Sequence, residues 1–143
     1  MKVNTKVTGT LEQRAEQAAQ KAARIVLAEL FGRFQASLTA PVWQWPVVSR
    51  RTSGTAGTIR NIIDTGNLRA SGHFQYTGKF YALYSWSANY ATAVHEGARL
   101  ANGGLLPARP WTAAVTGTLP VSGIKPFPLG ERSKALLLSN LRR

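Results

Sequence analysis

His95 and Glu96 stand together as the first two members of an H-E-x-x-H zinc pattern, in which two imidazoles one helical turn apart grip the metal and the glutamate serves as base. The fifth position here is Arg99, and Gly97 would break the helix that has to present both ligands. The pair is therefore read as structural, and no metal is expected. His73, the other histidine, falls on an expected strand, where a lone imidazole is a hydrogen-bonded structural residue or simply exposed. A Ser-His-Asp triad could be drawn from His95, Asp64 and any of several serines, but no G-x-S-x-G elbow frames a nucleophile. Only Asp64, Glu96 and Glu131 carry a carboxylate outside the first helix, too few for paired acid-base hydrolysis. The glycines of GTAG at 54–57 and the Gly103-Gly104 pair are not followed by Lys-Ser or Lys-Thr, so neither cradles a phosphate in the P-loop manner. Cysteine is absent, which removes thiolate chemistry and disulfides together. The expectation is a non-enzyme with no catalytic residues and no cofactor.

What the chain has in excess is positive charge: 18 Lys and Arg against six Asp and Glu, a net +12. Such a field draws any polyanion at moderate salt. The bases are scattered, without a run of five, and zinc-ligand spacing, an RNA-binding aromatic motif and a helix-turn-helix are all missing from the sequence. Contact with phosphate is expected rather than base readout. The stretch 49–60, SRRTSGTAGTIR, is rich in Gly, Ser and Thr and reads as a loop able to reach; its Arg50, Arg51 and Arg60 are the candidates for contact with DNA in a channel or with an acidic partner. MKVNTKVTGT lacks the apolar segment of a signal peptide, and no run of about 18 apolar residues occurs, so a soluble, unexported chain with no membrane contact is expected.

The elements that must position these residues can be outlined from periodicity. Thr10-Leu11-Glu12-Gln13 has the form of a capping box, and Leu11, Ala15, Ala18, Ala22, Ile25, Val26, Leu30, Phe34 and Leu38 recur at helical steps, predicting one long helix over 10–38 after a flexible start at 1–9. PVWQWPVV at 41–48 is apolar and broken by Pro46, as an edge strand or extended segment would be. DTGNLRAS at 64–71 predicts a turn and a short helical turn. Phe74 and Tyr76, then Phe80, Ala82, Tyr84 and Trp86, keep a period of two on either side of Thr77-Gly78 and predict a hairpin. Ser87 to Glu96 predicts a short helix capped by Ser87, residues 97–110 a loop, and Pro110 the first turn of another helix through Val115. Pro120, Pro126 and Pro128 hold the next stretch extended before a terminal helix. The fold class expected is α+β: a long N-terminal helix and a short C-terminal helix packed on a small, mainly antiparallel β-sheet. One domain spans 1–143, with 117–143 set apart as a contact arm.

Four tryptophans are many for this length, and most of them are expected in the core. Next to a proline on an edge, however, Trp43, Trp45 and Val47 also have the makings of a self-association surface, together with the first helix.

DTGNLRAS at 64–71, SWSANYA at 85–91, VHEG at 94–97 and PARPW at 107–111 come in an order and spacing that resembles the tail-completion and neck proteins of tailed phages, including the Mu-like virion morphogenesis group. The resemblance covers roughly residues 10–116. It implies a structural virion protein, assembled in the host bacterial cytoplasm, that forms a homo-oligomeric ring of six at the phage neck or head-proximal tail end and joins tail to DNA-filled head. Its partners would be copies of itself, the head-tail adaptor, and tail-tube or terminator proteins. By the match, Asp64, Gly66 and Leu68 fix the turn before the hairpin, Tyr90, Ala91, His95 and Gly97 the short helix and its exit, and Pro107, Arg109 and Pro110 the return into the core. Elementary chemistry gives each an architectural role: Asp64 caps amides, Gly66 takes positive φ, and Arg109 offers its fork to a carboxylate such as Glu96 or one on a neighbouring copy. The alternative reading is a basic accessory protein that binds nucleic acid without sequence preference.

Overall fold

A computed structural model describes residues 2–45, 58–60, 62, 66–101 and 103–142, with side chains for 11–44, 62, 66–101 and 103–142. The fold is α+β. In chain order come α1 (Lys2–Thr39), β1 (Trp43–Trp45), β2 (Thr58–Arg60), α2 (Asn67–Ala70), β3 (Gly72–Tyr76), β4 (Ala82–Trp86), α3 (Ala91–Glu96), β5 (Ala98–Arg99), β6 (Leu105–Leu106), α4 (Trp111–Thr116) and α5 (Leu129–Leu141). In place of one sheet, the described strands form three two-stranded ladders: β1 with β2, β3 with β4, and β5 with β6. β1 and β2 run antiparallel with Trp43 opposite Arg60 and Trp45 opposite Thr58.

Several boundaries differ from expectation for local reasons. α1 begins at Lys2, so residues 2–9 are helical rather than a flexible start, and Thr10 lies inside the helix instead of capping it. The buried side of α1 is a strict four-residue ridge of Ala18, Ala22, Val26, Leu30, Phe34 and Leu38, while Leu11 and Ala15 at its foot are exposed. α3 starts at Ala91 after Tyr90, not at Ser87: the Ala91 amide bonds the Ala88 carbonyl in a turn that first ends the hairpin. The loops at 49–60 and 97–110 each contain strand, the first in β2 and the second in the short β5–β6 pair.

The chain divides into two compact units. The first takes Met1–Leu30, Gln75–Leu83 and Pro128–Arg143. Among its described residues the buried apolar ones are Ala18, Ala22, Val26 and Leu30, all on α1, and α5 buries none. The hairpin turn is pinned to α1 by the Tyr76 hydroxyl, which donates to the Arg24 carbonyl at 2.9 Å, by the Arg24 guanidinium 4.5 Å above the Tyr76 ring, and by Lys79 to Glu16 at 2.7 Å. α5 is tied by a two-pronged Arg132–Glu29 pair at 2.9 and 2.7 Å. These pairs are solvent-exposed and fix position more than they stabilise. Leu11, Tyr76, Phe80, Tyr81, Leu83, Leu129, Leu138 and Leu141 of this unit stay exposed, against Leu105 and Leu119 of the other.

The second unit, Phe31–Phe74 and Tyr84–Phe127, holds the larger core: Phe34, Leu38, Trp43, Ile62, Leu68, Ala91, Trp111, Ala114 and Val115. The last carbonyls of α1, which a helix leaves without internal partners, are taken up here: Ser37 by the Trp43 indole at 2.9 Å, Leu38 by the Ile62 amide at 3.0 Å. Phe31 stacks on Phe74 at 5.1 Å and Phe34 meets Tyr84 edge-on at 5.2 Å, so the inward face of the hairpin alternates as its sequence does. The stretch read as part of a contact arm is built into both units: the Phe127 amide bonds the Val115 carbonyl at 2.8 Å in the second, and α5 belongs to the first.

Candidate functional site

The residues that the sequence singled out at 90–97 and 107–111 meet in the second unit. α3 exits through Gly97 at φ 83° and ψ 164°, a backbone shape open to glycine alone, and a Cβ there would stand 2.8 Å from the Leu106 carbonyl oxygen. That clearance lets the chain double back so that the Arg109 amide bonds the Val94 carbonyl at 2.9 Å. Pro110 then precedes α4, in the N-cap position rather than in the first turn. Arg109, 2% exposed, directs its Nε and Nη2 to the main-chain carbonyl of Gln44 in β1 at 3.2 and 3.1 Å.

Between these segments lies a cleft of about 480 Å³, walled by Phe34 of α1, Tyr84 and Trp86 of β4, Ala91, Thr92, His95 and Glu96 of α3, and Trp111, Thr112 and Thr116 of α4. Its walls are aromatic: Trp86 meets Trp111 edge-on at 5.5 Å and His95 meets Trp111 at 4.8 Å and 85°. His95 Nε2 and the Thr112 hydroxyl are 2.7 Å apart, joining α3 to α4. The Trp111 indole N–H is buried and has no acceptor among the described residues. Despite the excess of bases in the chain, the lining contains none among the described residues, where Glu96 is its one carboxylate. A second hollow of about 440 Å³, in the first unit, is lined by Leu11, Arg14, Gln17, Ala18, Lys21, Asn140 and Leu141 and is basic.

Burial pushes the His95 imidazole below its ordinary range, opposed by the adjoining Glu96 carboxylate. The sign of the pH effect follows. As pH falls, the unfolded chain takes up its proton first, near 6.5, and the folded chain only lower. Stability tied to neutral His95 is whole above that value and drains as pH falls through the folded one. Thermal unfolding from pH 7.5 to 5 should therefore lose Tm more steeply in the wild type than in His95→Gln; parallel curves would remove His95 from this role.

Other expected site residues divide sharply. Trp43 is 3% exposed with its indole bonded inside, so it belongs to the core and not to a self-association surface. Trp45 and Arg60 lie on β1 and β2, but their side chains, like Val47, Arg50, Arg51 and Asp64 altogether, fall outside the described residues. Gly66 adopts φ 83° before α2, whose Leu68 is buried. Tyr90 precedes α3, and Ala91 is buried against the cleft. Sequence reasoning missed the cleft itself and the exposed hairpin tip; the run of aromatics from Phe74 to Trp86 was the available signal for both. Among the described residues no three His, Asp or Glu cluster as metal ligands, and no helix is long and apolar enough to cross a membrane. Comparison with family models, curated proteins and solved structures finds no match.

Proposed function

We propose that the chain is a structural virion protein of a tailed phage that assembles with copies of itself into a ring at the neck or head-proximal tail end, without catalysis. The observation that carries self-assembly is the first unit, where the buried apolar residues among those described are confined to one face of α1 while the hairpin and α5 hold large apolar side chains in water. Apolar surface of that kind marks a contact waiting to be covered. Placement in a phage neck draws on the order of the DTGNLRAS, SWSANYA, VHEG and PARPW segments, three of which border one cleft or its supports. The +12 charge repels between identical copies and needs an offset, for which packaged DNA in the lumen or acidic faces of neighbouring rings are the natural sources.

Sedimentation of the purified chain tests the reading. A defined oligomer that persists as salt rises from 0.1 to 1 M is expected, since the contact is apolar. A monomer at every concentration, with DNA affinity that collapses over the same salt range, would instead favour the basic nucleic-acid-binding accessory protein. Changing Arg50, Arg51 and Arg60 to Gln should leave the oligomer unchanged and reduce DNA retained by joined particles; normal retention would assign the charge to protein contacts.

A further inference from the structure

From Ala70 to Ala98 the chain carries a single base, Lys79, and a single acid, Glu96, so the whole positive surplus lies outside this stretch. A chain of net +12 that binds its own copies does so at least electrostatic cost where that surplus is missing. Two different surfaces come from this neutral stretch. One is the hairpin tip, with Phe80 46% and Tyr81 70% exposed and Leu83 beside them, on a turn closed by the Thr77 amide to the Tyr81 carbonyl at 3.0 Å. The other is the aromatic cleft, most of whose walls come from Tyr84 to Glu96.

We propose that the hairpin tip of one copy docks into the Trp86–Trp111 cleft of the next. The inference rests on the self-assembly reading above and names its interface. The tip is apolar and aromatic, as the cleft is, and the cleft volume is of the size that takes a few large side chains. The tip is also held in place before binding by the Tyr76 and Lys79 ties to α1, which lowers the ordering cost of docking. Charge does not oppose the contact: Lys79 on the tip is already paired with Glu16, and among the described residues the lining holds Glu96 and no Lys or Arg, which disfavours a polyanion there. Because tip and cleft are different patches, the contact is heterologous, the kind that generates a ring when its rotation closes.

Two variants and their mixture test this. Phe80→Ser with Tyr81→Ser removes the tip, and Thr92→Arg, at an exposed position of the lining, places a base in the cleft. Each alone should sediment as a folded monomer, with self-association weakened at least about 100-fold. Mixed one to one, they should form a heterodimer and stop there, because only one intact tip and one intact cleft remain. If Thr92→Arg loses its near-ultraviolet circular dichroism, Thr116→Arg on another wall replaces it. Wild-type oligomers from either variant, or no heterodimer from two monomeric variants, would overturn the docking while leaving ring formation standing. A wild-type chain that is itself monomeric would overturn both.

Discussion

Arg109→Ala is expected to destabilise the fold by about 3 kcal/mol, a sum of charge-assisted hydrogen bonds lost and a cavity left behind. At this chain length that lowers Tm by about 10 °C. The side chain is almost fully buried, and its guanidinium reaches across to the Gln44 carbonyl of β1 with two N–H groups at once. Its own amide meanwhile holds the Val94 carbonyl at the end of α3. One residue thus fixes the β1 strand and the α3 exit to the loop before α4. Arg109→Lys should recover little of the loss, since a single ammonium on a flexible stem cannot reproduce the fork of Nε and Nη2. A Tm within about 2 °C of wild type for Arg109→Ala would show that the buried guanidinium holds nothing that water cannot replace.

The same residue shows how the cleft is supported. His95, Thr112 and Trp111 line it, but their positions depend on Gly97 allowing the chain to turn back and on Arg109 fastening the returning strand. The residues with the most chemical character, His95 and Glu96, are part of a wall, and the ones that look like punctuation, Gly97 and Arg109, decide whether the wall exists.

Sequence made the long helix legible because a four-residue ridge from Ala18 to Leu38 is a property of the chain itself. The hairpin was legible too, since Tyr84 and Trp86 face inward while Leu83 and Ser85 are exposed, as a period of two requires. The helix start at Lys2 was not, because KVNTKVTGT has weak helix formers, a glycine and no apolar period. β2 hides in a run of Gly, Ser and Thr, and becomes a strand only through its pairing with Trp43–Trp45, a tertiary cause that local composition does not record. α5 posed the opposite problem. Its leucines fall at helical spacing and invite a packed helix, yet Leu129, Leu138 and Leu141 are exposed and no residue of α5 is buried. The apolar spacing is real, but among the described residues it meets no surface that buries it.

Trp43→Ala is the substitution that best separates core from contact. As an interface residue on an edge strand, Trp43 would be replaced at little cost to the fold, yielding a stable monomer. Its actual position, 3% exposed with the indole N–H donated to the Ser37 carbonyl, predicts a different outcome. Loss of a buried tryptophan costs about 3–5 kcal/mol, and here one of the last carbonyls of α1 also loses its indole donor. Trp43→Phe keeps most of the buried area but gives up the hydrogen bond and a small part of the ring volume, so it should cost less than the alanine change, about 1–2 kcal/mol. Thermal denaturation of the two variants should therefore show a graded fall, and whatever chain remains folded should sediment as the wild type does. A Trp43→Ala chain that melts with the wild type but sediments as a monomer, where the wild type does not, would return Trp43 to the self-association surface.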